Sequence, residues 1–210
     1  MSDAPRLRIL VIGASGELGR AVVAELGARH EIISAGSKSG DVRIDISDPT
    51  SIVAGLAAAG PLDAVACAAG AVNFHPLSAI SVASIAESSY GLGMANKLMG
   101  QVNLALAARD HLNEGGSITL IAGVLSETPI AYGSSASIVN AAVEAFAMAA
   151  AIEMPRGIRI NAVSPTVVEE SMADFGPFFR GHDPVPALRV GRAFSRSIEG
   201  LETGKTYRVV

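Results

Sequence analysis

Three glycines at three-residue intervals, Gly13, Gly16 and Gly19, follow directly on the apolar run Leu7-Arg8-Ile9-Leu10-Val11-Ile12. A glycine turns the chain where a side chain cannot, and it lets the backbone come close to a ligand. The stretch after them, Arg20 to Arg29, is rich in Ala, Val and Leu at helical spacing. Strand, tight turn and helix in that order bring free N–H groups and the positive end of a helix dipole to one point. The chemistry is that of holding a diphosphate, with Gly13, Ser15, Gly16, Glu17, Leu18 and Gly19 as its candidate residues. About twenty residues further on, an NAD site would carry an acid that accepts from both ribose hydroxyls. Ala35–Lys38 holds no acid; Ser37 and Lys38 stand there, a hydroxyl and an ammonium suited to a 2′-phosphate. NADP is therefore expected in preference to NAD, the alternative being a solvated loop with an incidental lysine.

The elements that must position these residues follow from the pattern of apolar runs. Strands are predicted over Leu7–Ile12, Glu31–Ala35, Val42–Ile46, Asp63–Ala68, Ser117–Ile121, Ile158–Val163 and Lys205–Val210. Helices are predicted over Glu17–Arg29, from Asp48 (N-cap) and Pro49 to about Ala59, over Gly91–Leu112, Ser135–Met154 and Pro186–Ile198. Gly115-Gly116 is expected to separate the long helix from the fifth strand. Strands alternating with helices imply an α/β fold: one doubly wound Rossmann-type domain over 1–210, with about seven mainly parallel strands and helices on both faces. Residues 170–186 carry Gly176, Pro177, Gly181, Pro184 and Pro186 with exposed-looking Phe175, Phe178 and Phe179; they read as a lid over a pocket or as an ordinary surface excursion. In open parallel sheets ligands sit beyond the carboxyl ends of the strands. Those ends here carry the glycine turn, Gly36–Ser39, Asp45, Ala68–Gly70, Ala122–Gly123 and Ser164–Thr166, all converging on one crevice.

Composition narrows the function classes. The net charge is −4 and the basic residues are scattered, so no nucleic-acid partner is expected. No segment suits a membrane or a secretory signal, which points to the cytoplasm. The single cysteine, Cys67, reads as a small buried residue at a strand end. No metal site is expected.

At this point the sequence resembles the short-chain dehydrogenase/reductase superfamily, from about residue 7 to 172 and more loosely beyond. Gly13-Ala14-Ser15-Gly16-Glu17-Leu18-Gly19 resembles its glycine motif, with the middle glycine one place early for the commonest variant. Asp45-Ile46 resembles the pair that holds adenine, and Cys67-Ala68-Ala69-Gly70 the Asn-Asn-Ala-Gly motif over the cofactor. Gly116-Ser117-Ile118 begins a strand that in the family ends in the catalytic serine, and Gly157-Ile158-Arg159-Ile160-Asn161-Ala162-Val163-Ser164-Pro165 is similar to the strand that ends beneath the nicotinamide. The resemblance implies that Ala68, Ala69, Gly70, Asn140, Pro165 and Val168 join the cofactor site. It also implies a homodimer or homotetramer through the two long helices and hydride transfer to a small carbonyl or from a small alcohol.

The departures concern the proton. In the family a tyrosine donates it, a lysine four residues later lowers the tyrosine pKa, a serine polarises the carbonyl and an asparagine anchors a water. Aligning Ala141-Ala142-Val143-Glu144-Ala145-Phe146 with the family's helix puts Ala136 in the tyrosine place and Asn140 in the lysine place. The serine place falls near Ala122 or Gly123, the asparagine place holds Lys97, and Thr166 follows Pro165 where the family has glycine. Candidate catalytic residues are then Tyr132, Lys97, Ser126 and Asn140, with Ser134 or Ser135 as further donors or helix caps and His75 as a loop residue near the crevice. Three functions stay open: an NADP(H)-dependent oxidoreductase with a non-standard proton donor, a non-catalytic NADP(H)-binding regulatory or scaffold protein, and a lyase or isomerase on the same fold.

Overall fold

The computed structural model describes residues 5–210. Seven strands form one sheet in the order β3-β2-β1-β4-β5-β6-β7: β1 (Arg8–Ile12), β2 (Glu31–Gly36), β3 (Val42–Arg43), β4 (Leu62–Cys67), β5 (Leu112–Ile121), β6 (Arg159–Pro165) and β7 (Thr206–Val209). Every neighbouring pair is parallel. The strand order reverses between β1 and β4, and a crevice opens beyond the carboxyl ends at such a reversal. The helices are α1 (Glu17–Leu26), α2 (Pro49–Ala59), α3 (Gly100–His111), α4 (Ser134–Ala150), the short α5 (Met172–Phe175) and α6 (Ala187–Glu199).

Alternation along the strands sorts side chains to two cores. Leu10 and Ile12 of β1 join Leu56 of α2, Leu104 of α3 and Val143 of α4 on one face. Ile9 and Val11 join Val22 and Leu26 of α1 and Val190 and Phe194 of α6 on the other. The sheet is therefore wound on both sides, as the pattern predicts. Cys67 is buried as a free thiol at the end of β4, and burial pushes its pKa up to about 12. Asp48 caps α2 by accepting from the Thr50 N–H at 2.9 Å, with Pro49 at the first helical position.

The differences from expectation have local causes. β3 stops at Arg43 rather than Ile46: the Asp45 carboxylate accepts from the backbone N–H and hydroxyl of Ser47, and that turn draws the chain off the sheet. The expected helix over Gly91–Leu112 is continuous but locally underwound, with a π-helical stretch, Gly93–Met99, ahead of α3. Gly115-Gly116 do not separate α3 from β5. The strand leaves the helix at Leu112, pairs there with Leu62, then slips so that Ala64 meets Ser117, and Gly115 at φ +72° sits within the slip. α4 ends at Ala150, since Pro155 has no N–H to give and disfavours helical geometry just before it. Neither Ser134 nor Ser135 caps α4; Gly133 stands at the cap, and Ser134 Oγ lies 3.2 Å from the Tyr90 hydroxyl.

Residues 169–186 leave β6 and return to α6, stapled at the base by the Glu169 N–H to Val185 carbonyl bond and the Val185 N–H to Val167 carbonyl bond. Of the three phenylalanines expected to be exposed, Phe179 is buried with Leu125, Ala136 and Val167 in a third, smaller apolar cluster. No helix among the described residues is long and apolar enough to cross a membrane, and no group of three or more His, Cys, Asp or Glu side chains there could hold a metal ion.

Candidate functional site: a dinucleotide cleft and an apolar cavity

The carboxyl ends of β1, β2 and β4 enclose a cleft of about 460 Å³. Gly13, Ser15, Gly16, Ser37, Lys38, Asp45, Ile46, Ala68, Ala69 and Gly70 line it, together with Ser39, expected only as part of the Gly36–Ser39 strand end, and Asn96, which sequence reasoning missed. Ser39 sits one place beyond the expected Ser37-Lys38 pair, and its hydroxyl lies 3.3 Å from Ser15 Oγ. Asn96 is legible only as the neighbour of Lys97; its Oδ1 accepts from the Ala71 N–H at 2.8 Å and anchors the loop after β4.

The glycine turn is built around two constraints. Gly13 lies at φ +80°, where a side chain is strained, and a Cβ there would stand 3.0 Å from the Ala68 backbone. A Cβ on Gly19 would stand 1.9 Å from the Gly13 carbonyl oxygen, so α1 can approach the turn only with glycine at that position. Gly16 closes the turn by donating to the Gly13 carbonyl at 2.9 Å. Arg20 adds a bond from its guanidinium to the Ser15 carbonyl at 2.7 Å. Glu17 and Gly19 do not line the cleft: Gly19 packs beneath it, and the Glu17 carboxylate accepts from the Ser171 hydroxyl, tying the turn to the 169–186 excursion.

A second cavity of about 260 Å³ lies towards β6, lined by Leu18, Lys97, Asn140, Pro165 and Val168 of the expected residues. Lys97 crosses between the two spaces. Its stem packs against Gly70, where a Cβ would come within 2.6 Å, and its Nζ donates to the Ala122 carbonyl at 3.0 Å. Burial pushes the Lys97 pKa down to about 8, against the opposite pull of Cys67 and Glu144. Asn140, almost fully buried on α4, has an Oδ1 with no hydrogen-bond partner in the protein. Ala136 lines the same cavity one turn earlier, presenting only a methyl group. Gln101 holds the floor: its amide donates to the Ile121 carbonyl and accepts from the Ile121 N–H at 2.9 and 2.8 Å, beyond the point where β4 ends its pairing with β5.

The structure does not bring the other candidates to this point. Tyr132 is 47% exposed, at φ +68°, its ring edge-on to Phe178 at 6.0 Å. It lies in a loop that passes outside the cavity wall. Ser126 is turned away: its hydroxyl donates to Glu144 Oε1 at 2.9 Å, in a buried network where Ser164 and Arg208 also hold that carboxylate. His75 is an exposed loop residue whose N–H donates to the Tyr132 carbonyl. Phe74, Leu125, Phe175 and Phe179 also line the cavity; Phe175 and Phe179 belong to the stretch read as a lid or surface excursion, while Phe74 and Leu125 had no assignment.

A parallel sheet in this order, with a glycine turn at the end of its first strand and a crevice at its reversal, defines a dinucleotide-binding α/β protein. Residues 11–184 match the family described as enoyl-(acyl carrier protein) reductase, and the chain belongs to the short-chain dehydrogenase/reductase superfamily. It is 28% identical over 165 residues to an uncharacterized oxidoreductase of Methylorubrum extorquens, a match covering 76% of this chain and 62% of that protein's length. Among solved structures it is similar to the protein lin1944 of Listeria innocua, at 47% identity and TM-score 0.93 over 97% of this chain and all of that one. A small-chain dehydrogenase crystallised in complex with NADPH shares the fold at 23% identity and TM-score 0.83, covering 98% of this chain and 97% of its own.

Proposed function

We propose that this chain is an NADP(H)-dependent oxidoreductase of the short-chain type, with Lys97 in place of the family's tyrosine as proton donor. The observation that carries the reading is that Lys97 and Asn140 both line the apolar cavity beside Ala122 and Gly123, with the Lys97 stem packed on Gly70 of the glycine-lined cleft. The residues fit a nicotinamide dinucleotide on three counts. The turn at Gly13–Gly19 has no room for side chains where a diphosphate would approach. Lys38, Ser37 and Ser39 offer charge and hydroxyls to a 2′-phosphate, and no acid lines that end except Asp45, whose carboxylate is held by Ser47. The Asn140 amide lines the apolar cavity, a polar group in reach of a ribose hydroxyl. The NADPH-bound relative points the same way.

When bound, the reduced dinucleotide supplies hydride. The chain's own part is to hold and protonate. The glycine turn and the start of α1 bind the diphosphate through backbone N–H groups. Asn140 accepts from a ribose hydroxyl in the place where the family uses a lysine. Lys97, charged below pH 8, gives a proton to the developing alkoxide of a small carbonyl substrate, and the Ala122 carbonyl keeps its ammonium aimed. Residues 170–186 cover the cavity as a lid, and two copies pair through α3 and α4.

The test is a fluorescence titration with NADPH and with NADH, followed by turnover of a carbonyl panel by the wild type and Lys97→Ala. Tighter NADPH binding and a loss of about 100-fold or more in the variant's rate are expected. A specific observation favours one other reading, a non-catalytic NADP(H)-binding protein: the methyl of Ala136 faces the cavity where the family has its tyrosine. Tight NADPH binding with no turnover of any substrate would establish it.

A further inference from the structure

We infer that the cavity beneath the 169–186 excursion selects an apolar, ring-bearing aldehyde or ketone, presented carbonyl-first to Lys97. The inference rests on the dinucleotide reading for its chemistry and on the cavity wall for its selectivity. The polar groups are gathered at one end. Lys97 Nζ and the Asn140 amide stand beside Ala122 and Gly123, while Val72, Phe74, Leu125, Val167, Phe175 and Phe179 form much of the rest of the wall. The only other side chains there with hydroxyls are Thr166 and Ser171, and the Ser171 hydroxyl is already given to Glu17. A polyhydroxylated substrate would leave its hydroxyls without partners against this wall, at a heavy cost in affinity. A substrate with a second, anionic group fares no better, because no arginine lines the cavity and Lys97 is its one cation.

Size agrees with polarity. The cavity is about 260 Å³. A dry cavity of about 150 Å³ lined by Leu, Ile and Phe holds one benzene ring. Pro165, Val168 and Asn140 of this wall belong to the proposed cofactor site, so the nicotinamide ring takes part of the volume and what remains admits one small ring at most. The wall is apolar by construction, since Leu125, Ala136, Val167 and Phe179 form a cluster separate from both cores of the sheet. Phe74 and Phe175 meet at 5.9 Å between ring centres, joining the loop after β4 to α5 across the cavity. Ala136 leaves open the volume that a larger side chain would fill. In the reaction, the carbonyl carbon gains the hydride of NADPH and the oxygen gains the Lys97 proton. The C=O bond becomes CH–OH, the dinucleotide leaves as NADP⁺, and Lys97 recovers its proton from water.

The experiment uses the full chain saturated with NADPH, after NADPH association has been measured on its own. Benzaldehyde and cyclohexanecarbaldehyde are compared with glyceraldehyde and pyruvate as substrates, and benzamide, which is not reduced, is tested as a ligand by thermal shift. Expected are a kcat/KM for the ring aldehydes at least about 100-fold above the polar pair and protection by millimolar benzamide. Ala136→Leu should abolish that protection while keeping NADPH association, and Phe179→Ala should admit naphthaldehyde. NADPH association together with equal or better turnover of the polar pair, or without benzamide protection, overturns the inference and leaves the dinucleotide reading standing. No NADPH association overturns both. Benzamide protection with no turnover upholds the ligand class and overturns the chemistry.

Discussion

In the proposed reaction the chemistry turns on Lys97 and Asn140, and each makes a separate prediction. An amine held near pKa 8 is charged below that pH and neutral above it. As the proton donor it must be charged. The value of kcat/KM for reduction should therefore be level below pH 8 and fall about tenfold per unit above it, as a pH profile of kcat/KM would show. Lys97→Arg keeps a charge at every pH tested, so its slower rate should lack the fall. Asn140 carries the cost of an unpartnered buried oxygen, about 1–3 kcal/mol. Asn140→Leu should accordingly raise the melting temperature of the nucleotide-free protein by about 2–4 °C for each ~1 kcal/mol recovered. The same change should weaken NADPH binding about tenfold, the value of one hydrogen bond. At this scale the sequence was legible where chemistry depends on backbone, as at Gly13 and Gly19, because a missing side chain is itself the signal. It was less legible where chemistry depends on direction. Nothing in the order of residues says that Ser126 turns to Glu144 or that Tyr132 faces out, since both follow from packing between segments distant in sequence.

Among the elements, α3 is pinned to the carboxyl end of β5 by Gln101. Gln101 stands in for a strand neighbour at Ile121, where β4 has already turned off into the Ala68–Gly70 loop. Gln101→Leu would leave the Ile121 N–H and carbonyl buried and unpaired on that side. A loss of about 2–4 kcal/mol is expected by urea denaturation, with the midpoint lowered and the slope unchanged. The alternation of strands and helices could be read from apolar periodicity alone, because the inner strands β1, β4, β5 and β6 feed both cores of the sheet and each long helix only one. The misread boundaries lie where side chains override the period, at the Asp45 turn and at the slip in β5. The π-helical stretch before α3 was invisible for a related reason: apolar spacing sets which face is buried, and it is compatible with more than one winding.

On the scale of the whole molecule, the two faces open to a partner differ in kind. Leu92, Met99 and Leu106 on the long helix and Ile138 and Met148 on α4 are exposed and apolar. At the far edge of the sheet, β7 and α6 instead present Arg189, Arg192, Arg196, Lys205 and Arg208 around one groove. Glu202 pairs with Arg196 there, and Glu127 and Glu144 with Arg208, so this edge is a charged, polar surface rather than an apolar one. A dimer through the helices is therefore expected, and Leu106→Glu should convert it to a monomer by light scattering with the melting temperature lowered. The interior, for its part, contains one sulfhydryl, sealed at the tip of β4 and held protonated well past neutrality. An alkylating reagent can reach it only when the sheet comes apart, so the speed of labelling is a stopwatch for global opening. Nucleotide that associates with the closed form alone must slow that clock by the factor 1 + [L]/Kd. Coenzyme affinity can thus be timed in this protein without a substrate, a product or any turnover.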